Sequence, residues 1–411
     1  AVMACQQKTK DQNKTELSKA NKESSITSYE SDLAFMRNHT EIIELTAPGA
    51  TGKIALAAAF QGRVMTSTAG DTGSSYGWIN RPIFESGEIS EHMNAYGGEE
   101  RFWLGPEGGQ FSIFFEKGKA FTLDNWHTPK LIDLEPFEAE KKSEFEVLFT
   151  KSASLTNYSG FTFDFKIERS IKILSNTQII DQLGLSFYED LQAVGYTTTN
   201  LLTNTGENAW KKPTGLLSIW LLGMFNPSPT TKVMIPYIAD KEGGSGKIVN
   251  IYESFGKLSE DRLISTENMI YFKGDGQHRS KIGLLPTRAK DVLGSYDSKN
   301  GILTIVKYNK PDGATDYVNS TWKIQEEPFS GDAVNSYNDG APEAGAKPLG
   351  PFYELETSSP ALALAPGETG KHVQMTFHLE GSPKDLAEII QEVFGIGVSE
   401  IPSFNQANDN D

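Results

Sequence analysis

The sequence predicts an all-β protein, built of antiparallel strands in two packed sheets with few, short helices. Three stretches carry this reading. Ile54, Leu56, Ala58 and Phe60 alternate with Lys53, Ala55, Ala57 and Ala59. Phe161, Phe163, Phe165 and Ile167 alternate with Thr162, Asp164, Lys166 and Glu168, and Val373, Met375, Phe377 and Leu379 alternate with His372, Gln374, Thr376 and His378. A period of two with one apolar face marks strands lying on a core.

Taken in order, the folded part is expected to begin near Tyr29, with a short N-capped helix over 31–36. Strands are expected at 110–115, 145–154, 192–203, 215–224, 232–238, 247–254, 268–272, 301–308, 319–325 and 352–358. Ser298-Lys299-Asn300-Gly301, between two apolar runs, predicts a hairpin turn. One amphipathic helix is expected over 384–394, where Leu386, Ile389, Ile390 and Val393 form a stripe behind Ser382-Pro383. No fixed-period repeat and no linker interrupts 41–380. The expected organisation is a tether over 1–28, one domain over 29–396 and a polar tail over 397–411.

Composition narrows the function. The 411 residues carry 38 Lys and Arg against 54 Asp and Glu, a net charge of −16. An acidic chain is a poor partner for nucleic acid, whose phosphates need a basic surface. No apolar run approaches the roughly 18 residues of a membrane helix. A single cysteine excludes an intramolecular disulfide framework and a multi-cysteine zinc site. The six histidines show no metal spacing, and G-x-S-x-G, P-loop and H-E-x-x-H motifs are missing. No metal or cofactor is expected.

The cysteine, Cys5, follows Ala-Val-Met-Ala and precedes a stretch rich in Lys, Gln, Asn, Ser and Thr. That arrangement resembles the lipobox of bacterial lipoproteins, where the thiol takes a diacylglyceryl group. The expectation is a lipid anchor at Cys5 with residues 6–28 as a solvated tether, holding the domain at a bacterial membrane, in the periplasm or on the cell surface.

Three segments concentrate polar and aromatic groups. Asn94–Gly109 sets Tyr96, Arg101, Trp103 and Glu107 among glycine pairs, a composition that lets a ligand approach closely. Residues 331–340 gather Asn335, Asn338 and Asp339, donors and acceptors suited to sugar hydroxyls, between strands. Glu354 and Glu356 fall on one face of a strand, with Tyr353 and Leu355 on the other; two carboxylates together raise each other's pKa and suit proton transfer.

In this order the segments resemble the galactose mutarotase (aldose 1-epimerase) superfamily. Asn94-Ala95-Tyr96-Gly97-Gly98, Asn335-Ser336-Tyr337-Asn338-Asp339-Gly340, Leu355-Glu356-Thr357-Ser358 and Pro366-Gly367-Glu368 carry the likeness. Within it, 97–110 and 331–360 most resemble the DUF6786 type of Bacteroidetes lipoproteins. The resemblance implies a β-supersandwich that binds a hexose on a concave sheet face, with Glu356 as general base. Two departures stand out: Tyr96 occupies the place of a histidine before Gly-Gly, and the segment 202–210 lacks the general-acid histidine. The acid would then be Tyr96, Glu107 or Lys211. The expected pocket is built from Arg101, Trp103, Glu107, Asn335, Asn338, Asp339, Glu354 and Glu356, with Arg101 beside Glu356. The expected function is binding or processing of a carbohydrate by an envelope lipoprotein. Aldose 1-epimerase-type isomerisation, sugar capture without turnover and a scaffold role are the alternatives.

Overall fold

The computed structural model describes residues 27–70, 73–186 and 192–404. Cys5, its tether and the end of the tail lie outside them. Among the described residues three antiparallel sheets are present. The largest has ten strands, in the order Leu263–Ser265, Met269–Lys273, Thr231–Pro236, Val292–Asp297, Ile302–Tyr308, Thr369–Glu380, Gln192–Asn204, Thr162–Ile173, Glu146–Thr156 and Glu138–Ser143. The second has six: Asn250–Ile251, Ser280–Leu284, Val334–Asn338, Tyr353–Ser358, Ser218–Phe225 and Arg101–Gly105. Ile43–Thr46, Lys53–Ala57 and Arg63–Thr68 form the third.

The two larger sheets face each other across the core. Phe163, Phe165, Ile167 and Ile171 of the ten-stranded sheet pack with Phe102, Leu104, Ile219 and Leu221 of the six-stranded one. Val233, Ile270, Phe272 and Val306 meet Ile282, Leu284, Val334 and Leu355 in the same way. Burial of alternate apolar side chains drives this sandwich, at about 1.5–3 kcal/mol per fully buried Leu, Ile or Phe. Arg169 occupies an apolar-face position of its strand and is fully buried. It stays there because Glu100 lies 2.8 Å from one amine and Asn200 accepts from the other at 2.6 Å. The outer face of the ten-stranded sheet is covered by two helices, Asn176–Leu183 and Pro383–Phe394, through Ile179, Leu183, Leu386, Ile389 and Ile390.

The alternating stretches 161–168 and 372–379 form strands as expected, whereas 53–60 is a strand only over Lys53–Ala57 and turns into a 3₁₀ helix over Ala58–Phe60; Asp297 pairs with Ile302 around the hairpin, where Gly301 takes φ 63°. Several expectations need correction. The N-terminal helix runs over Tyr29–Arg37 and is capped by Ser28, whose hydroxyl accepts from the Ser31 amide. Segments 110–115 and 319–325 are not strands. The backbone of 319–325 is bonded by side-chain amides instead: Gln110 donates to the Gln325 carbonyl and accepts from its N–H, and Gln325 donates to the carbonyls of Asn319 and Thr321. In 110–115 the Ile113 N–H donates to the Pro106 carbonyl and the Phe114 carbonyl accepts from the His127 N–H. Strand 247–254 shrinks to Asn250–Ile251. Conversely, Arg101 belongs to a strand rather than a glycine loop, and 334–338 is a strand rather than a loop. Packing also continues past residue 396, since Ile401 is buried against the C-terminal helix.

Candidate functional site

Strand register builds the site. Tyr353, Leu355 and Thr357 turn inward to the core, so Glu354 and Glu356 point to the other face of the six-stranded sheet. Glu356 sits opposite Asn335 on one side and Leu222 on the other, and Leu222 is in turn opposite Arg101. Glu354 sits opposite Tyr337, which is opposite Lys281. Trp103 and Trp220 are paired one step along. Directly opposed residues share a face, so five separated strands deliver Arg101, Trp103, Trp220, Lys281, Asn335, Glu354 and Glu356 to one surface, turned away from the ten-stranded sheet.

The centre of that surface is an ion cluster. Lys281 Nζ and the indole Nε1–H of Trp220 each donate to Glu356 Oε2 at 3.0 Å, while Glu356 Oε1 has no donor. Arg101 donates to Glu354, and the Glu354 carboxyl lies within hydrogen-bonding reach of Glu356. Burial pushes Glu354 up to about 7, opposed by Arg101 and reinforced by the charge of Glu356. Burial also acts on Lys281, lowering it, but the carboxylates of Glu356, Glu107 and Glu354 outweigh that and its pKa is raised, so it stays an ammonium. Its Nζ lies 5.0 Å from the Trp220 ring centroid, and the Arg101 guanidinium lies 5.0 Å from that of Trp103.

Glu107 joins from the loop that follows the Arg101–Gly105 strand. Trp322 Nε1 donates to it at 3.2 Å, and it interacts with both Lys281 and Glu356. Burial pushes its carboxyl up to about 7, against the pull of Lys281. A carboxyl that is half protonated near neutral pH, beside a carboxylate held by two donors, is an acid–base pair in the chemical sense.

Asn335 is anchored by a satellite network. It donates to Asp332 at 3.1 Å; Asn250 donates to the other Asp332 oxygen at 2.7 Å, and the Tyr252 hydroxyl donates to Asp332 as well. Gly283 is required here, because a Cβ would stand 2.0 Å from Asp332 Oδ2 and 2.4 Å from Asn335 Nδ2.

Four expected site residues lie elsewhere. Asn338 is opposite Tyr353 and therefore on the core face; its amide accepts from Gly276 N–H at 2.8 Å and donates to the His278 carbonyl at 2.9 Å. Asp339 accepts the Tyr337 hydroxyl at 3.1 Å and the Gly350 N–H at 3.0 Å; burial pushes its carboxyl up to about 6. Tyr96 packs its ring on Phe60 and Phe84, at 4.4 and 5.0 Å, and burial raises its phenol further from neutral pH. Lys211 is exposed on the turn before the Ser218–Phe225 strand. Arg101 is also corrected: its carboxylate partner is Glu354, and Lys281 takes Glu356. Trp220 escapes sequence reasoning because 215–224 reads as an ordinary strand, and Lys281 because Ser280–Leu284 does not read as a strand at all. Only the pairing of Lys281 with Tyr337 places a lysine on the glutamate face.

A family model described as a family of unknown function, DUF6786, matches residues 27–405. The chain belongs to the DUF6786 family. No curated protein matches it. Among solved structures, the Slr1438 protein of Synechocystis sp. PCC 6803 is similar at 13% identity and TM-score 0.47, over 83% of this chain and 96% of that one. A galactose mutarotase-like protein of Lactobacillus casei is similar at 11% identity and TM-score 0.45, over 83% and 99%. An aldose 1-epimerase-type protein of Escherichia coli K12 is similar at 12% identity and TM-score 0.46, over 83% and 99%. At these scores the likenesses carry no weight for activity, and for this DUF6786 member the chemistry rests on its own residues.

Proposed function

We propose that the glutamate face of this DUF6786 protein binds a carbohydrate and carries out acid–base chemistry on it. The observation that carries the reading is the union of Glu356, Lys281 and Trp220 with Glu107 on one sheet face. Glu356, whose Oε1 is bonded by neither Lys281 nor Trp220, takes a proton from a sugar hydroxyl. Glu107, protonated on about half of the molecules near pH 7, delivers one to a ring or bridging oxygen. Trp103 and Trp220 offer ring faces to the C–H side of a sugar, and Asn335 offers amide groups. The sequence resemblance to mutarotases supports the ligand class.

Capture without turnover is the second reading. It is favoured by Glu356 having no exposed surface and by both donors already occupying its Oε2. We further propose that Cys5 carries a lipid and holds the domain at a bacterial membrane, which would make the ligand an envelope or environmental saccharide.

The test is a neutral-glycan array followed by NMR of the best ligand with the wild type and Glu356→Gln. Turnover that falls by about 10²–10⁴-fold in the variant supports catalysis. Binding without turnover supports capture, and no saccharide binding at all refutes both. Free glucose and galactose should show little accelerated mutarotation by polarimetry, because both histidine positions are vacant.

A further inference from the structure

A cleft of about 530 Å³ opens between the segment around residues 89–94 and the segment 113–134. That volume is within the range of small-molecule sites, about 300–1,000 Å³. Phe114 and Phe115 form its apolar wall, and Asn94, Thr128 and Asp133 line its polar side. On its far side, Phe114 contacts Trp103 with ring centroids 5.4 Å apart, so a single aromatic ring stands between the cleft and the glutamate face.

The polar side is built rather than incidental. Asp133 is 4% exposed and receives the Asn94 backbone N–H on both oxygens at 3.1 Å and the Asn94 amide at 2.8 Å. His127 is fixed by stacking on His92, with centroids 5.0 Å apart, and by backbone bonding to Phe114. Thr128 is 7% exposed, yet its hydroxyl has no hydrogen-bond partner. A buried polar group left unpaired costs about 1–3 kcal/mol, and Thr128 is among the residues lining the cleft, so a ligand hydroxyl seated there would pair it.

The lining also selects the ligand. Glu91, Glu116 and Asp133 contribute three carboxylates against one ammonium, that of Lys130. An anionic ligand is repelled, and a purely apolar one covers the Glu91 and Glu116 carboxylates and the Thr128 hydroxyl without pairing them. A neutral polyol with C–H faces meets both halves, laying its rings on Phe114, Phe115 and Pro129 and its hydroxyls on Asn94, Thr128 and Asp133. We infer that this cleft is a second saccharide site, separate from Glu356, that takes a neutral oligosaccharide. The ligand class, though not the existence of the cleft, rests on the carbohydrate reading of the glutamate face.

The experiment is hydrogen–deuterium exchange of the full chain with neutral cello-, malto- and laminari-oligosaccharides, from disaccharide to hexasaccharide. The same ligands are titrated against wild type, Thr128→Val, Ser90→Trp and Glu356→Gln. Ser90 lines the cleft from an exposed position, so a tryptophan there plugs it without touching the core. The inference expects protection of 89–94 and 113–134, weakening by about 5–10-fold in Thr128→Val for one lost hydrogen bond, loss in Ser90→Trp, and no change in Glu356→Gln. Protection confined to the strands of Lys281 and Glu356 overturns the second site and leaves the glutamate-face reading standing. Protection of the cleft alone upholds the second site and removes that reading. Protection nowhere overturns both.

Discussion

Lys281→Met is the sharpest perturbation of the glutamate face. The ammonium is 11% exposed and Glu356 is wholly buried, so the pair is an interior one rather than a surface bridge. Removing the cation leaves Glu356 with the Trp220 indole as its remaining donor, beside Glu354 and Glu107. Breaking one side of a buried pair costs about 3–5 kcal/mol, because a desolvated charge stays behind. Replacing both partners by apolar residues of similar size is often neutral. Urea unfolding of Lys281→Met should therefore show a loss of about 3–5 kcal/mol, and Lys281→Met combined with Glu356→Leu should recover most of it. The loss of Lys281 should also move Glu107 and Glu354 further above about 7, since its charge lowers both. A single variant within about 0.5 kcal/mol of wild type, the range of an ordinary surface substitution, would show that Lys281 and Glu356 are not an interior ion pair. So would a double variant that is less stable than the single one.

Further outcomes follow from the same geometry. Glu107 is raised to about 7 in the folded state, so between its ordinary value and 7 folding takes up a proton and stability falls as pH rises through that window; Glu107→Gln should flatten this slope, measured by unfolding at pH 5 and pH 8. His372 is lowered to about 3 by burial, so its contribution is present above its ordinary value and is lost as pH falls from there toward 3; His372→Gln should reduce acid sensitivity in a thermal melt. Gly283→Ala drives a methyl into Asp332 and Asn335 and should cost about 1–3 kcal/mol or more in urea unfolding. Cys5→Ser, expressed with the natural leader, should release the protein from the membrane fraction; wild type found wholly in the soluble fraction defeats the anchor.

The strands with clean alternation were legible because burial on one face imposes a period of two. The segment 161–168 carried it clearly enough to reveal the sandwich, and the Glu354–Glu356 face was legible for the same reason. What escaped was pairing. Arg101 looked like part of a glycine loop because the segment Asn94–Gly109 is punctuated by glycines, yet five residues between them add an edge strand to the six-stranded sheet. Asn338 and Asn335 looked equivalent in composition. A three-residue offset on one strand puts them on opposite faces, and only the register with Tyr353–Ser358 says which faces the glutamates. Lys281 carried no local signal, since its role depends on a strand that is adjacent in space and distant in sequence. Segments 110–115 and 319–325 misled because their aromatic and β-branched content suits a strand, while glutamine side chains take the backbone bonds of 319–325 and loop backbone those of 110–115.

On the function proposed above a saccharide seats on the glutamate face, and the indole protons report on it directly. The chain has six tryptophans, so its ¹H–¹⁵N indole spectrum is sparse. Trp220 Nε1–H is bonded to Glu356, and the Trp103 ring lies against that of Trp220 at 5.6 Å. With the best array ligand titrated into labelled protein, and Trp220→Phe used for assignment, the Trp220 and Trp103 resonances should shift together and saturate at the binding constant. A ligand that binds while the Trp220 resonance stays fixed contradicts the claim.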